Sequence, residues 1–328
     1  MTWQHLKGKG LFVFSDPGGA KGVLALASLV KKNDLLASLL VISDRVYDFY
    51  SDFDLPIHHY NEGDEIASIT SFSPDYVFTG TSYTSHLELK FIKEAGKKKI
   101  PTIAFIDHWT NFYSRFKWDA ELVLPTQVWV IDEHAKELAI GEGLPAAAVM
   151  ITGNPYYKFL AQWKPSISKE SFFNQLGIPV HARIIVFAPE PLSQVNGKEK
   201  FGFDELELLE KILGDMPNEF WQDNNNYLLI KLHPNQNRSN IASIVLRSKE
   251  GKNVSIAPEN IHTNTLLMYA DIVMGIFSNI LLEADIIGTT VVRYIPFKIK
   301  QDILQAAIDR FPVTTEMSFI TNRYRKNA

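Results

Sequence analysis

Short runs of consecutive apolar residues alternate along the chain with stretches whose apolar positions recur every three or four residues. Leu11–Phe14 is the first run and stops at Ser15-Asp16-Pro17-Gly18-Gly19-Ala20; Val23, Leu24, Leu26, Ala27 and Val30 then recur at helical spacing. Further strands are expected at Leu39–Ile42, Tyr76–Phe78, Thr102–Ile106, Trp129–Ile131 and Val149–Thr152. Asp132-Glu133 opens a helix running to about Gly141, and the sixth strand stops at Gly153-Asn154-Pro155. The segment Tyr156–Arg183, with a helical stretch at Lys169–Leu176, breaks the alternation and reads as an interdomain connection. The rhythm resumes with strands at Ile184–Phe187, Tyr227–Leu232, Val254–Ile256, Ile272–Met274 and Thr290–Arg293. Helices at Phe203–Leu213, Thr263–Tyr269 and Ser278–Ile287 fall between them. Strands alternating with helices require crossover connections, hence parallel sheets covered on both faces. The expected fold class is α/β, two Rossmann-like doubly wound parallel-sheet domains at 1–160 and 161–312, with a C-terminal segment at 313–328.

Length agrees with two domains, since 328 residues divide naturally at roughly 100–200 residues per domain. A formal charge of −4 argues against a surface built for nucleic acid. The absence of cysteine removes disulfides, thiolate metal sites and thiol nucleophiles. Apolar runs such as Leu35–Ile42 fall far short of the ~20 residues of a membrane span. The first ten residues lack the apolar core of a signal peptide, so the expected location is cytoplasmic. His58-His59 is an adjacent pair with poor metal-ligand spacing, and no HExxH, GxSxG or EF-hand pattern occurs. No metal and no cofactor are expected.

Ligands of open parallel sheets bind beyond the carboxyl ends of the strands, so the turns there are the places to look. In Ser15-Asp16-Pro17-Gly18-Gly19-Ala20 the paired Gly18 and Gly19 allow close approach to backbone, and the next helix start offers N–H groups to an anion. Neither a GxGxxG fingerprint nor a Walker A ending is present. Asp16 is either a general base or a helix cap. Lys231 and His233 lie on one side of an extended segment that Pro234 terminates, placing a cation and an imidazole within reach of a phosphate. Ser278, followed by Asn279, is either a cap or part of an anion site, and Glu283 either accepts from ribose hydroxyls or faces solvent. Glu190, in Ala188-Pro189-Glu190-Pro191, is a ligand contact or part of a rigid loop. Asp107-His108-Trp109-Thr110-Asn111, leading into Tyr113, Arg115 and Phe116, suits a polyol with a ring to stack on, against core packing of Trp109 and Phe112.

Two Rossmann-like halves carry Val149-Met150-Ile151-Thr152-Gly153-Asn154-Pro155 ahead of the connection. In the second half stand Lys231-Leu232-His233-Pro234, then Ala270-Asp271-Ile272 with Ser278, Glu283-Ala284 and Gly288. This pattern resembles the GT-B superfamily of nucleotide-sugar glycosyltransferases, whose domains face a cleft. It is most similar to bacterial surface-polysaccharide transferases with a KxHP motif, of the sialyl-, Kdo- and CDP-glycerol glycerophosphotransferase types. The resemblance implies that Lys231, His233, Pro234, Ser278, Asn279, Glu283 and Glu190 hold a CMP-, CDP- or UDP-type sugar donor. It places a glycan or lipid-linked acceptor on the first half, near Gly18, Gly19, Asp107, Trp109 and Asn154, with Asp16 or His108 as base. Peripheral contact with the inner face of the membrane fits such an acceptor, and Gln301–Arg323 resembles a helix crossing back to the first domain. The expected activity is metal-independent glycosyl transfer in surface-polysaccharide synthesis.

A second resemblance competes. Thr152-Gly153-Asn154-Pro155 and the Ser278–Ala284 helix are also similar to hydrolysing UDP-N-acetylglucosamine 2-epimerases. Those enzymes carry an HRxEN-like turn where this chain has Ala188-Pro189-Glu190-Pro191, and a glycine pair where it has Asn279-Ile280. A non-catalytic nucleotide- or sugar-binding protein is the alternative of another class.

Overall fold

Strands whose two faces are both covered should be apolar throughout, and Leu11–Phe14 and Ile184–Phe187 are completely buried at the centre of their sheets. The computed structural model describes residues 6–33, 36–233, 236–248, 253–302 and 305–326. The chain divides into two compact units, 1–162 and 163–328. Both are doubly wound, Rossmann-like α/β units.

The first unit contains strands β1 (Gly8–Phe14), β2 (Leu36–Ser43), β3 (His58–His59), β4 (Tyr76–Thr79), β5 (Thr102–Phe105), β6 (Lys117–Trp118), β7 (Glu121–Leu122), β8 (Gln127–Val130) and β9 (Val149–Ile151). Its helices are α1 (Pro17–Lys32), α2 (Asp64–Ser71), α3 (Leu87–Lys97), α4 (Glu133–Gly141) and α5 (Pro155–Leu160). Seven strands form one parallel sheet in the order β3-β2-β1-β4-β5-β8-β9, while β6 and β7 make a small antiparallel ribbon. On one face Leu11, Val13, Ile42 and Val77 pack with Leu87, Phe91 and Ala95 of α3. On the strands' other side, Phe12, Phe78 and Trp129 form a run of ring contacts.

The second unit holds α6 (Lys169–Leu176), β10 (Arg183–Phe187), α7 (Gly197–Lys200), α8 (Glu205–Asp215), α9 (Asn218–Gln222), β11 (Asn226–Ile230) and α10 (Arg238–Ser248). It continues with β12 (Val254–Ile256), α11 (Thr263–Tyr269), β13 (Ile272–Gly275), α12 (Asn279–Ile287), β14 (Thr290–Tyr294), α13 (Gln305–Ile308), β15 (Val313–Thr314) and α14 (Met317–Lys326). Its parallel sheet runs β12-β11-β10-β13-β14-β15. Strand order therefore reverses between β1 and β4 in one unit and between β10 and β13 in the other. Such switch points open a crevice at the strands' carboxyl ends.

Two expectations are corrected, whereas the segment Tyr156–Arg183, expected as the interdomain connection, contains the boundary between the two units at 162/163 and the expected helix Lys169–Leu176. Pro155–Leu160 is a helix packed on α1, with Phe159 stacked on Phe53 at 4.5 Å, while Trp163 stacks on His262 of the second unit at 5.5 Å. Gln301–Arg323 is not one helix: Pro312 breaks it, Arg293 N–H donates to Pro312 O at 2.8 Å, and β15 extends the sheet beside β14. The expected strand Tyr227–Leu232 ends at Ile230, so Lys231 and His233 lie outside the regular alternation that put them on one side. Pro234 lies outside the described residues.

Two glycines separate packing from propensity. An ideal methyl at Gly22, on the buried face of α1, sits 2.5 Å from the Phe105 ring, whereas one at Gly96 in α3 meets nothing within 4 Å. Overpacking costs about 1–3 kcal/mol and helix propensity returns roughly 1 kcal/mol. Gly22→Ala should therefore lower the urea midpoint while Gly96→Ala raises it; equal shifts of one sign would refute the packing account.

Candidate functional site

The first unit's chemistry gathers where β1, β4 and β5 end. Asp16 occupies the N-cap position of α1, yet its side chain makes no capping bond. Its carboxylate instead accepts from Tyr83 N–H at 2.7 Å and from Thr84 Oγ1 at 2.6 Å, tying the β1 turn to the β4 turn. Both oxygens are thus engaged, and the first turn of α1 keeps its amides uncapped. Gly18 and Gly19 sit at close approaches: an ideal methyl at Gly18 would meet the end of the Asp107 side chain, and one at Gly19 would lie 3.1 Å from Thr81 N.

Beneath these turns lies Glu88, only 2% exposed, from the first turn of α3. Its Oε1 accepts from Ser15 N–H at 3.0 Å and from Ser82 Oγ at 2.5 Å, and Ser82 Oγ in turn accepts from Asp16 N–H at 3.0 Å. Burial pushes the Glu88 carboxyl up to about 7; hydrogen bonds from Ser82 and Ser15 oppose the shift and the nearby Asp16 charge adds to it. Alongside, buried Arg115 donates to Thr81 Oγ1 at 3.0 Å and lies 4.5 Å over the Tyr83 ring.

His108 is half-buried with Nδ1 2.9 Å from Thr110 Oγ1. Burial holds its pKa below the usual histidine range, Asp107 opposing and Arg115 reinforcing the shift, so the ring is neutral at neutral pH. Trp109 does not offer a stacking face. It is buried, and its Nε1–H donates to Asp132 at 2.9 Å, the same carboxylate that caps α4 through Ala135 N–H. Asn154 caps α5 by accepting from Tyr156 N–H at 3.0 Å, which uses its side-chain oxygen structurally.

In the second unit the corresponding turns follow β10 and β13. Ser278 is the N-cap of α12, again without a side-chain capping bond, as at α2, α3, α7, α9 and α11, whereas Asp132, Asn154, Ser168 and Asp204 cap their helices. Glu190, 9% exposed, accepts from Phe277 N–H at 3.0 Å, and its second oxygen is buried without a hydrogen-bond partner. Burial pushes Glu190 up to about 7, against the Phe277 and Ile276 amides and the Arg293 guanidinium. Arg293 Nε–H donates to Ile276 O at 2.8 Å, and its guanidinium pairs with Asp302. Lys231 and His233 are half-buried just past β11; Lys231 N–H donates to Phe187 O and His233 N–H to Gln236 Oε1. Asn279 Oδ1 is buried without a hydrogen-bond partner, and Glu283 is buried on α12 beside Leu281 and Leu282. Among the described residues no group of three or more His, Asp or Glu side chains could hold a metal ion, and no helix is long and apolar enough to cross a membrane.

Sequence reasoning passed over Thr81, Ser82, Tyr83, Thr84, Glu88 and Arg293. One signal was available for Glu88: it interrupts the apolar face formed by Leu87, Phe91 and Ala95.

The sequence matches no protein-family model and no curated protein, but the fold matches solved structures over nearly its whole length. The UDP-GlcNAc 2-epimerase of Neisseria meningitidis bound to UDP-GlcNAc is 18% identical at TM-score 0.63, covering 97% of this chain and 91% of that one. The UDP-GlcNAc 2-epimerase of Methanocaldococcus jannaschii is 13% identical at TM-score 0.63, covering 97% and 92%. Anabaena Alr3699/HepE in complex with UDP and glucose is 16% identical at TM-score 0.63, covering 96% and 88%. Identities this low establish a shared fold. Several neighbours spanning almost the entire chain are UDP-GlcNAc 2-epimerases, which overturns the expectation of glycosyl transfer by a KxHP-type enzyme.

The raised carboxyls make stability depend on pH. Glu88 and Glu190 rise from 4.5 to about 7 on folding, so their contribution is complete below about 4.5 and lost as pH rises through 7. His108 acts in the opposite sense, its contribution being lost as pH falls below 6.5. Comparison with single variants isolates each group: from pH 5 to pH 8 the melting temperature of Glu88→Gln should gain on that of the wild type, and likewise for Glu190→Gln. Differences constant with pH would show that the carboxyls do not titrate there.

Proposed function

We propose that the protein is an epimerase-type enzyme acting at C2 of a UDP-linked N-acetylhexosamine. The supporting observation is that 97% of the chain shares the fold of an enzyme holding UDP-GlcNAc, with sequence-derived phosphate-binding candidates grouped at one sheet's carboxyl end. The uncapped start of α12, with Lys231 and His233 past β11, suits the diphosphate, since helix-start amides and cations both stabilise oxyanions. Inversion at C2 passes the C2 proton to a base while the C2–H electron pair forms a C1=C2 double bond and expels UDP from C1; UDP or water then adds at C1 as a proton is returned to the opposite face of C2. Asp107 and His108 are the acid–base groups of this reading: His108 is neutral at working pH and Asp107 stands next to it in the chain. Asp16, with both oxygens already accepting hydrogen bonds, ties the turns together.

The test is incubation with UDP-GlcNAc in D2O, without any acceptor, followed by proton NMR. The 2-epimer, as UDP-sugar or as free sugar with UDP, should form with deuterium at C2. His108→Ala and Asp107→Asn should each lower kcat by about 10²-fold or more. Unchanged UDP-GlcNAc with hydrogen retained at C2 would overturn the reading.

A further inference from the structure

In both units the residue immediately before an uncapped helix start donates its amide to a buried glutamate. Ser15 precedes the Asp16 cap position of α1 and donates to Glu88 at 3.0 Å; Phe277 precedes the Ser278 cap position of α12 and donates to Glu190 at 3.0 Å. In each case the glutamate reaches across the switch point of its own sheet. Glu88 enters from the α3 side of β4 and grips the end of β1, while Glu190 follows β10 and grips the end of β13. The two arise from unrelated local sequence, Ser82-Tyr83-Thr84-Ser85-His86-Leu87-Glu88 and Ala188-Pro189-Glu190. Each carboxyl keeps one oxygen buried without a hydrogen-bond partner.

The grip is tight in both places. Phe277 N–H and Ile276 C=O belong to one peptide group, so Glu190 and Arg293 hold that peptide from both sides. In the first unit Ser82 donates to Glu88 and accepts from Asp16 N–H, so two successive amides, those of Ser15 and Asp16, are fixed. A buried carboxylate without full compensation is a costly group to keep for stability alone. What it does locally is define the peptide plane entering a helix whose first amides are left open.

We propose that Glu88 and Glu190 are positioning residues: each orients the peptide ahead of an uncapped helix start and so sets how that start meets the bound nucleotide sugar. Each acts within its own unit, Glu190 through α12 on the proposed UDP site and Glu88 through the Ser15–Gly19 turn. This rests on the proposed activity for the identity of the ligand, but not for the geometry of the struts.

Leucine fills the space without an acceptor, and glutamine restores an acceptor oxygen without the charge. UDP affinity by calorimetry, UDP-GlcNAc turnover, and amide hydrogen exchange at Ser15 and Phe277 are read for both variants at each position. Glu190→Leu should raise the Kd for UDP by about tenfold or more, the scale of a lost hydrogen bond to a charged group. It should also deprotect the Phe277 amide, and Glu190→Gln should recover most of both effects. Glu88→Leu should lower kcat by about tenfold or more and deprotect Ser15, with Glu88→Gln again recovering most of the loss. Should a leucine variant fail to fold, the aspartate variant at that position retains the charge but lacks the reach, and it should show the same loss. Folded leucine or aspartate variants with UDP affinity and turnover within about twofold of wild type would overturn the proposal. If the wild type bound no UDP the functional reading would fail, and protection of the Ser15 and Phe277 amides in the leucine variants would still refute the struts.

Discussion

The structure depends on how backbone groups are satisfied where the strand order reverses. Inside each parallel sheet the N–H and C=O groups pair along the ladder, but at the carboxyl ends of β1 and β4, and of β10 and β13, neighbouring chains diverge toward opposite faces. Amides that leave the ladder in a buried place need other acceptors. Ser15 and Phe277 are both in that position, being buried at the exit from a strand, and both find a glutamate. The same divergence opens the crevice in which this fold class binds ligands, so the protein solves its backbone problem beside its candidate site.

That solution has an electrostatic consequence. Neutral acceptors would satisfy the same amides with little desolvation, whereas Glu88 and Glu190 bring ionisable groups into almost complete burial. The structure offsets this only in part, through Ser82 and Ser15 at one site and through Phe277 and Arg293 at the other. Both carboxyls therefore titrate within the neutral range, and the two turns are held by acceptors whose charge is not fixed there.

The central strands were legible because strands buried on both faces are apolar throughout, and Leu11–Phe14, Ile103–Phe105 and Ile184–Phe187 are of that kind. β3, β6, β7 and β15 were not, since two-residue strands are defined by their ladder bonds rather than by side-chain pattern. Asp132 announced its helix by a local capping bond, but Asp16 and Ser278 occupy the same kind of position without that bond. The difference lies in partners distant in sequence, Tyr83 and Thr84 for Asp16, which no local spacing reveals. For Trp109 the sequence allows both ligand stacking and core packing, because exposure, unlike ring type, is a tertiary property; the structure buries it. The activity was misread for a related reason: short motifs at strand ends identify the fold that places them more readily than the reaction they serve.

The Ala188-Pro189-Glu190-Pro191 turn shows how the same fold can be kept with different local chemistry. The hydrolysing epimerases that the sequence resembles place a basic HRxEN-like turn after this strand; here the turn carries no cation and one buried carboxyl. A fixed anion would repel a diphosphate nearby, but burial favours the protonated carboxyl up to about pH 7, and protonation removes that repulsion. Arg293 cannot replace a missing phosphate-binding cation, because it is buried, bonded to Ile276 O and paired with Asp302. In the proposed function, compensation of phosphate charge within this unit therefore falls to Lys231, His233 and the open amides at the start of α12, and the orientation of those amides is what we propose Glu190 holds.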